Sequence, residues 1–415
     1  MLRRHIPALV VVVLFAADVA AQQADRTDDF IKAEMRKQNI PGLALAVVKD
    51  GKVIKAAGYG LANIKLRTTV TPETVLKVAS VSKQFIASGI MLLVQDGQLG
   101  LDDPISKYLE GTPATWKQIT IRHLLTHTSG IVREAPGFDP RKTQSDADVI
   151  KTAYPLSLRF APGEKFEYCN VGYFALGEVI RRVSGQPWTD YLNERIFKPS
   201  GMTSTYPTNT RVLLPNRAQG YVDNDKLREA GEWLALRPSG AFLSTVLDMA
   251  KWDAMLYTDK ILSESTRRQM WTALKLNDGR TYPYGFGWDL APLNGRKAVH
   301  HGGGGPGARA KFARFLDDRL TIIVLMNLDD VDVESIVHGL AALYLPATTP
   351  SSVRQNSAGR LPPSESAMLP MLWGLTPGRS LPLRRPRGDL LRLRRCRVNA
   401  PPGCSRLNGH ARRFV

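Results

Sequence analysis

The segment from Gln84 to Gln95 limits the fold of this chain more than any other, because the helix that it predicts has few polar positions. Its apolar residues fall on almost every side of a helix and are Phe85, Ile86, Ile90, Met91, Leu92, Leu93 and Val94. A helix of this kind must be enclosed by other elements, which requires a large domain. The 415 residues, 43% of them hydrophobic, provide one large domain or two coupled ones and exclude a wholly disordered chain.

Strand patterns lie at both ends of the main body of the chain. Two apolar segments flank Asp50-Gly51, which is a strong hairpin signal. The predicted terminal elements are a helix from Asp28 to Lys37, strands from Leu43 to Val48, Val53 to Ala57, Lys311 to Phe315 and Leu320 to Leu325, and a helix from Val333 to Tyr344. We therefore predict an α/β fold whose sheet is assembled from both chain ends and flanked by helices.

The middle of the chain is predicted to be mainly helical. From about Leu101 to Tyr257, helical patterns alternate with loops rich in glycine and proline. Ser244 and Thr245, followed by Asp248, predict the N-terminal cap of one of these helices. This part of the chain is expected to form its own layer or subdomain.

The first 21 residues have the composition of a secretory signal. Arg3-Arg4-His5 precedes an apolar run from Ile6 to Ala17, and the small-residue site Val19-Ala20-Ala21 follows. We expect cleavage after Ala21 and a periplasmic or secreted protein without a stable membrane anchor. An uncleaved anchor is the alternative, but the run is shorter than the roughly 20 residues that a spanning helix needs.

Most of the net charge of +18 lies in one terminal segment. Residues 350–415 contain 13 arginines, nine prolines, no lysine and two acidic residues, which gives them +11. The +7 of the remaining residues is ordinary, so we do not expect a nucleic-acid partner. The composition of 349–415 is typical of a disordered tail, although a shifted reading frame in a GC-rich gene would also produce it. The folded domain is placed at 22–348.

The sequence Ser80-Val81-Ser82-Lys83 stands directly before the predicted buried helix. A serine and a lysine three residues apart share one face of a helical turn. A lysine buried there loses its proton more easily than in water, and it can then accept the serine proton. The spacing alone is a weak signal, but no other Ser-x-x-Lys occurs in the chain.

Two further segments carry residues suited to acyl transfer. In Tyr168-Cys169-Asn170 the tyrosine can shuttle a proton and the asparagine can hold the lysine, although a surface turn would explain Tyr168 as well. The segment His301 to Gly307 has five glycines in seven residues, so its backbone can approach a ligand and offer an N–H group to an oxyanion. A flexible loop is the simpler interpretation of such a glycine run. A second Tyr-x-Asn, at Tyr191, is interpreted as structural.

The order Ser-x-x-Lys, Tyr-x-Asn, His-x-Gly resembles the superfamily of serine β-lactamases and penicillin-binding proteins, most closely its class C β-lactamase-like branch. This branch includes esterases, D-aminopeptidases and D-alanyl-D-alanine carboxypeptidases. The resemblance covers about residues 25–345 and extends to the segments 78–83, 123–130, 168–173 and 240–252. It implies the α/β fold of the β-lactamase and transpeptidase type, with an antiparallel sheet.

The resemblance also implies a role for each matched residue. Ser80 would be the acylated nucleophile, with Lys83 and Tyr168 sharing the acid and base work. Asn170 would orient Lys83 and the substrate. The N–H groups of Ser80 and Gly304 would form the oxyanion hole. His301 and Gly303 occupy the place of the lysine and glycine of the lactamase Lys-Thr-Gly, and they are predicted to bind substrate with Asn170 and Gly304.

This chain departs from the family pattern at two positions. It contains no Lys-Thr-Gly, and a neutral His301 would hold a substrate carboxylate less well than lysine does, which favours an esterase or peptidase over an efficient β-lactamase. Cys169 stands where serine is frequent and is interpreted as a tolerated small residue. With Cys396 and Cys404 it gives three cysteines, too few for a disulfide framework.

Other site types fit the sequence less well. His123 and His127 have the spacing of two zinc ligands on one helix face, but the segment lacks the glutamate of His-Glu-x-x-His. A packed helix end before Thr128-Ser129-Gly130 is the preferred interpretation. His300 is an alternative to His301, and the family spacing selects His301. The Gly-x-Ser-x-Gly of α/β-hydrolases does not occur.

We therefore expect an exported serine hydrolase that cleaves an ester or amide of a small molecule or peptide through an acyl-enzyme on Ser80. The amide could be a β-lactam or a D-amino-acid peptide, and no metal or organic cofactor is expected. Two alternatives remain: a β-lactam-binding sensor that is acylated without efficient turnover, and a scaffold with a relict site. The sequence leaves the substrate and the oligomeric state open.

Overall fold

An antiparallel sheet joins the two ends of the folded domain, as the sequence predicted. The computed structural model describes residues 26–209, 212–231 and 237–346, so the predicted signal segment and tail lie outside the described residues. The sheet has six strands, Gly42–Lys49 (β1), Lys52–Asn63 (β2), Thr68–Thr69 (β3), Ala298–Gly305 (β11), Ala308–Phe315 (β12) and Leu320–Met326 (β13). Their order across the sheet is β11-β12-β13-β1-β2-β3. Within the described residues, no helix is long and apolar enough to cross a membrane.

The predicted hairpin at Asp50-Gly51 is confirmed. Both residues have positive φ, +50° and +74°, which is the two-residue turn whose twist matches the flanking strands. β2 continues to Asn63, beyond the predicted end at Ala57, because it stays paired with β1 and then meets β3. The prediction stopped early because the alternation of polar and apolar residues weakens along β2.

Helices cover both faces of the sheet. On one face, α1 (residues 26–37) and α9 (Val333–Tyr344) pack on the apolar residues of β1 and β13, as Ile31, Val324 and Leu340 illustrate. The opposite face contributes residues such as Ala46 and Phe312 to a larger core with the middle of the chain. Both predicted terminal helices are therefore confirmed, and β1 is buried on both faces.

The helix predicted to be enclosed on all sides is α2, Lys83–Gln95. Every residue from Lys83 to Leu93 is buried. Phe85 meets the rings of Phe197, Phe242 and Trp252 at centroid separations of 5.0 to 5.8 Å. α2 thus forms the centre of the middle layer, and its first residue is the lysine of Ser-x-x-Lys.

The middle of the chain is mainly helical, with short strands. Its helices are Ile121–Leu125 (α3), Asp146–Lys151 (α4), Asn170–Ser184 (α5), Trp188–Leu192 (α6), Val246–Met255 (α7) and Glu264–Met270 (α8). Its short strands are Leu76–Lys77 (β4), Tyr206–Pro207 (β5), Tyr221–Val222 (β6), Arg228–Glu229 (β7), Phe242–Ser244 (β8), Leu274–Lys275 (β9) and Thr281–Tyr282 (β10). Tyr191 is buried in α6, in keeping with its structural interpretation.

The cap of α7 corrects one detail of the sequence prediction. Thr245 alone is the N-cap, and its hydroxyl accepts a hydrogen bond of 3.0 Å from the N–H of Asp248. Ser244 is the last residue of β8 and its hydroxyl bonds to Thr205 instead. The two residues cannot be told apart in sequence because either suits a cap.

Candidate active site

Ser80 lies in a single 3-10 turn, Ala79–Ser82, that leads directly into α2. Ala79 has a φ of +44°, a left-handed backbone that a residue with a side chain adopts only under constraint. The strand β11 lies directly against this turn: a Cβ on Gly303 would lie 2.3 Å from the carbonyl oxygen of Val78 and 3.1 Å from the nitrogen of Ser80. At this point of the strand there is therefore room only for a glycine.

Lys83 is fully buried at the start of α2. Its Nζ donates to Oδ1 of Asn170 at 2.9 Å and to the carbonyl oxygen of Ser239 at 2.8 Å, and it lies 3.4 Å from Oγ of Ser80. The amide and carbonyl oxygens can only accept. A neutral amine has two hydrogens for them, which leaves its lone pair for the Ser80 hydroxyl.

The charges around Lys83 favour this neutral form. Burial lowers the pKa of Lys83 well below the ordinary value of 10.5, and the nearby guanidinium groups of Arg237 and Arg133 lower it further, against the opposite effect of Glu134. Lys83 therefore meets both requirements for a base, which are contact with the proton to be removed and a lowered pKa.

Asn170 is the first residue of α5, and a carboxylate fixes the orientation of its amide. Its Nδ2 donates to Glu134, and the other carboxylate oxygen of Glu134 accepts from Arg237. Since a carboxylate cannot donate, the amide nitrogen must face Glu134 and Oδ1 must face Lys83. Arg237 Nε also donates to Oγ of Ser239 at 2.8 Å, so the same ion pair supports both acceptors of Lys83.

Tyr168 lies over this group, with Lys83 Nζ 4.6 Å from the centre of its ring. Its hydroxyl oxygen is buried and has no hydrogen-bond partner among the described residues. Burial raises the pKa of Tyr168, and the Ser80 hydroxyl and the guanidiniums of Arg133 and Arg237 counteract part of this rise. Tyr168 is therefore a protonated phenol beside Ser80.

Cys169 has a structural position that the sequence did not reveal. It is the N-cap of α5, and its Sγ accepts from the N–H of Gly172 at 3.3 Å, a role that serine commonly fills. Burial raises the pKa of Cys169 to about 12, so the thiol stays protonated. This supports the interpretation of Cys169 as a replacement for serine rather than a nucleophile.

His301 belongs to a buried chain of hydrogen bonds. The N–H of Cys169 donates to Nδ1 of His127 at 3.1 Å, and Nε2 of His127 lies 3.2 Å from the hydroxyl of Tyr284. The same hydroxyl lies 3.0 Å from Nε2 of His301, whose Nδ1 lies 2.6 Å from the carbonyl oxygen of Gly302.

The two ends of this chain fix its direction. A backbone N–H must donate to His127 and a carbonyl oxygen must accept from His301, so each imidazole carries one proton and Tyr284 donates to His301. Burial and the proximity of Lys83 lower the pKa of both histidines, that of His301 to about 3. As a substrate-binding residue His301 stays a prediction, but both of its ring nitrogens are bonded within the protein.

The glycine-rich segment is the edge strand β11 and not a flexible loop. His300 exchanges two backbone hydrogen bonds, of 2.9 and 2.8 Å, with Asp289 on the side away from β12. Alternate residues of an antiparallel strand point their N–H groups to the same side, so the N–H of Gly304 also points away from β12. It lies at the edge of the sheet, on the strand that contacts the Ser80 turn, and its role in an oxyanion hole stays a prediction.

His123 and His300 have structural partners of their own. Nδ1 of His123 accepts from the N–H of Thr120 and completes a capping box at the start of α3. His127 faces the interior and Nε2 of His300 lies 3.1 Å from the carbonyl oxygen of Ala291. Among the described residues, no group of three His, Cys, Asp or Glu side chains is arranged to hold a metal ion.

Sequence reasoning missed several residues that shape this site: Glu134, Arg237, Ser239, His127 and Tyr284. Glu134 and Arg237 are 103 residues apart, and no local pattern links them. The sequence suggests His127 either as a metal ligand or, more simply, as part of a packed helix end, and neither interpretation predicts its contact with Tyr284. The sequence signal for His127 is the resemblance of residues 123–130 to the family. This resemblance indicates that the segment is important, but it does not indicate which residues His127 contacts.

Comparison with known proteins identifies the family. Residues 27–344 match the family model described as Beta-lactamase. The chain belongs to the β-lactamase family. Penicillin-binding protein 4* of Bacillus subtilis is 33% identical to this family member over 318 residues, which cover 71% of the chain and 69% of that protein.

A second relative and a solved structure support the assignment. A D-aminopeptidase of Brucella anthropi is 28% identical over 321 residues, which cover 73% of this family member but only 59% of the enzyme. The chain thus spans about three fifths of that enzyme's length. The octameric penicillin-binding protein homologue of Pyrococcus abyssi matches with a TM-score of 0.69 and 29% identity over 77% of each chain. The predicted family and the predicted α/β fold are both confirmed.

Proposed function

We propose that this chain is an exported serine hydrolase that cleaves an ester or amide through an acyl-enzyme on Ser80. One observation carries the proposal: the buried Nζ of Lys83 donates to two oxygens that can only accept, and it lies 3.4 Å from Oγ of Ser80. A neutral lysine in this position is a base directed at the serine proton. Export rests on the composition of residues 1–21.

In the first step Oγ of Ser80 bonds to the carbonyl carbon of the substrate, and its proton moves to Lys83. The carbonyl oxygen becomes an oxyanion, which the N–H groups of Ser80 and Gly304 would stabilise. Tyr168 passes a proton to the leaving oxygen or nitrogen as the bond to the carbonyl carbon breaks, and the proton that Lys83 took from Ser80 restores the phenol. A water molecule then attacks the acyl-enzyme, and Lys83 and Tyr168 remove a proton from this water and return one to Oγ of Ser80 as the acid product leaves.

The site favours esters or peptide amides over β-lactams. His301 stands in the place of the lactamase lysine and is neutral, with both ring nitrogens engaged, so it adds no positive charge at that position. The D-aminopeptidase relative supports a peptide amide substrate. Penicillin-binding protein 4* supports an alternative in which a β-lactam acylates Ser80 and is released slowly.

Turnover of a p-nitrophenyl ester tests the proposal. We expect the wild-type protein to release nitrophenol catalytically and Ser80→Ala to lose nearly all of this activity, because the acyl-enzyme cannot form. Mass spectrometry of the quenched wild type should show the acyl group on Ser80. Ser106→Ala, which changes a serine outside the site, is the matched control.

Three outcomes separate the alternatives. A stoichiometric burst without turnover favours the β-lactam-binding sensor. An inactive wild-type protein without an adduct favours the relict site. Full activity in Ser80→Ala rejects Ser80 as the nucleophile.

A further inference from the structure

Arg133 places a positive charge beside the candidate active site. Its side chain is 45% exposed, and the central carbon of its guanidinium lies 5.2 Å from the centre of the Tyr168 ring. The main chain of Arg133 is anchored to the site because its carbonyl oxygen accepts a 2.8 Å hydrogen bond from the N–H of Asn170. The guanidinium therefore faces solvent while its backbone stays fixed to the catalytic group.

Two guanidiniums share one carboxylate beside Lys83. Glu134 lies 3.9 Å from Nε of Arg133, while one of its oxygens accepts from Asn170 and the other from the buried Arg237. Glu134 thus balances one of the two guanidiniums, and among the described residues this group of three side chains carries one net positive charge.

The guanidinium of Arg133 also has unused donors. Its Nε is 3.9 Å from the nearest oxygen of Glu134, which is too far for a hydrogen bond, and its side chain donates to none of the described residues. Arg237, in contrast, is buried and bonded to both Ser239 and Glu134. A guanidinium presents a planar fork of donors that fits a carboxylate.

We propose that Arg133 is a specificity-determining residue that binds a carboxylate of the substrate during acylation of Ser80. The preferred substrates would then be esters or amides that carry a free carboxylate a few bonds from the carbonyl that is attacked. This inference rests on the proposed function of the site.

Two matched pairs of esters test this inference with the full-length protein. The first pair is 4-nitrophenyl hydrogen adipate and methyl 4-nitrophenyl adipate, which differ by a carboxylate in the acyl part. The second is 4-acetoxybenzoate and its methyl ester, which differ by a carboxylate in the leaving group. We expect the ratio of kcat/KM for the anionic ester to that for the neutral ester to fall about tenfold in Arg133→Gln, in one pair or both.

Arg141→Gln is the control, since it removes the same charge from an exposed arginine in the loop that follows. It should leave both ratios as in the wild type, and Arg133→Lys should recover part of the preference. The responding pair shows whether the carboxylate belongs to the acyl part or to the leaving group. The loss of one charge-assisted hydrogen bond should change a ratio by more than about twofold. If Arg133→Gln leaves both ratios within about twofold of wild type, the inference is wrong.

Equilibrium binding separates this inference from the proposed function. In a Ser80→Ala background, the anionic member of the responding pair should bind about tenfold more weakly when Arg133→Gln is added, and the neutral member should not show this loss. If the wild type turns over neither pair but this difference in Kd is present, the hydrolase proposal fails and the anion site stands. If the Kd values do not differ, Arg133 does not bind the carboxylate.

Discussion

At the scale of single residues, Lys83 shows how burial changes the chemistry of a common side chain. Water would keep a lysine protonated at neutral pH, whereas enclosure by α2, Asn170 and Ser239 favours the neutral amine. Two donated hydrogen bonds hold the amine in place, and the lone pair of its nitrogen is left for the hydroxyl of Ser80. The motif Ser-x-x-Lys predicts that Lys83 lies beside Ser80, but only the enclosing fold lowers the pKa of Lys83.

The pH profile of hydrolysis should report this base. Because Lys83 acts only without its proton, kcat/KM should rise with pH through the lowered pKa and level off well below the ordinary value of 10.5. Lys83→Met should reduce kcat/KM by about 10²–10⁴-fold and remove this rise. Lys107→Met, which changes an exposed lysine paired with Asp103, should keep the wild-type kcat/KM and its rise with pH. An unchanged profile in Lys83→Met would show that another group is the base.

Tyr284 links two buried histidines through a single oxygen atom. Tyr284→Phe would remove that oxygen and leave Nε2 of His127 and Nε2 of His301 without partners. Leaving buried polar groups unpaired should lower the free energy of unfolding by about 1–3 kcal/mol, measurable by urea denaturation. Tyr206→Phe removes an exposed hydrogen bond to Thr203 and should cost much less. An equal loss of unfolding free energy in the two variants would contradict the buried chain of hydrogen bonds through Tyr284.

At the scale of the elements, most of the structure could be predicted from the sequence. The Asp50-Gly51 hairpin, the enclosed α2 and the closing helix α9 follow from turn chemistry and apolar periodicity, which act over a few residues. The strand β11 was harder, because His301 to Gly305 has no alternating pattern and its strand conformation depends on pairing with β12. The contact of Glu134 with Arg237 depends on the whole fold and has no local signal.

Gly303 is where β11 meets the Ser80 turn. In Gly303→Ala the new Cβ would collide with the carbonyl oxygen of Val78, at 2.3 Å, and would push the strand edge away from Ser80. We expect kcat/KM to fall about 10²–10³-fold, as when one oxyanion donor is lost, while the circular dichroism spectrum stays native. Gly305→Ala adds a Cβ that meets nothing within 4 Å and should change little. Wild-type activity in Gly303→Ala would contradict this close approach.

At the scale of the whole molecule, the family match covers residues 27–344 of the 415-residue chain. The family match ends at residue 344, and α9 completes the core on its face of the sheet. We therefore expect a protein of residues 22–348 to keep the kcat/KM and the melting temperature of the longer chain. A large loss in either would show that residues 349–415 contribute to the enzyme. The mass of the mature protein would test the proposed cleavage after Ala21 and the presence of the tail.

The sheet also sets the order in which the molecule can fold. β1 and β13 pair directly, so Leu43 bonds in register with Met326, about 280 residues later in the chain. Contacts this distant in sequence form late and slowly, because a long loop must close first. The sheet, and with it the edge strand beside Ser80, cannot assemble on the ribosome until synthesis has passed Met326. For the export proposed above, this delay would keep the chain unfolded long enough to pass through a narrow channel.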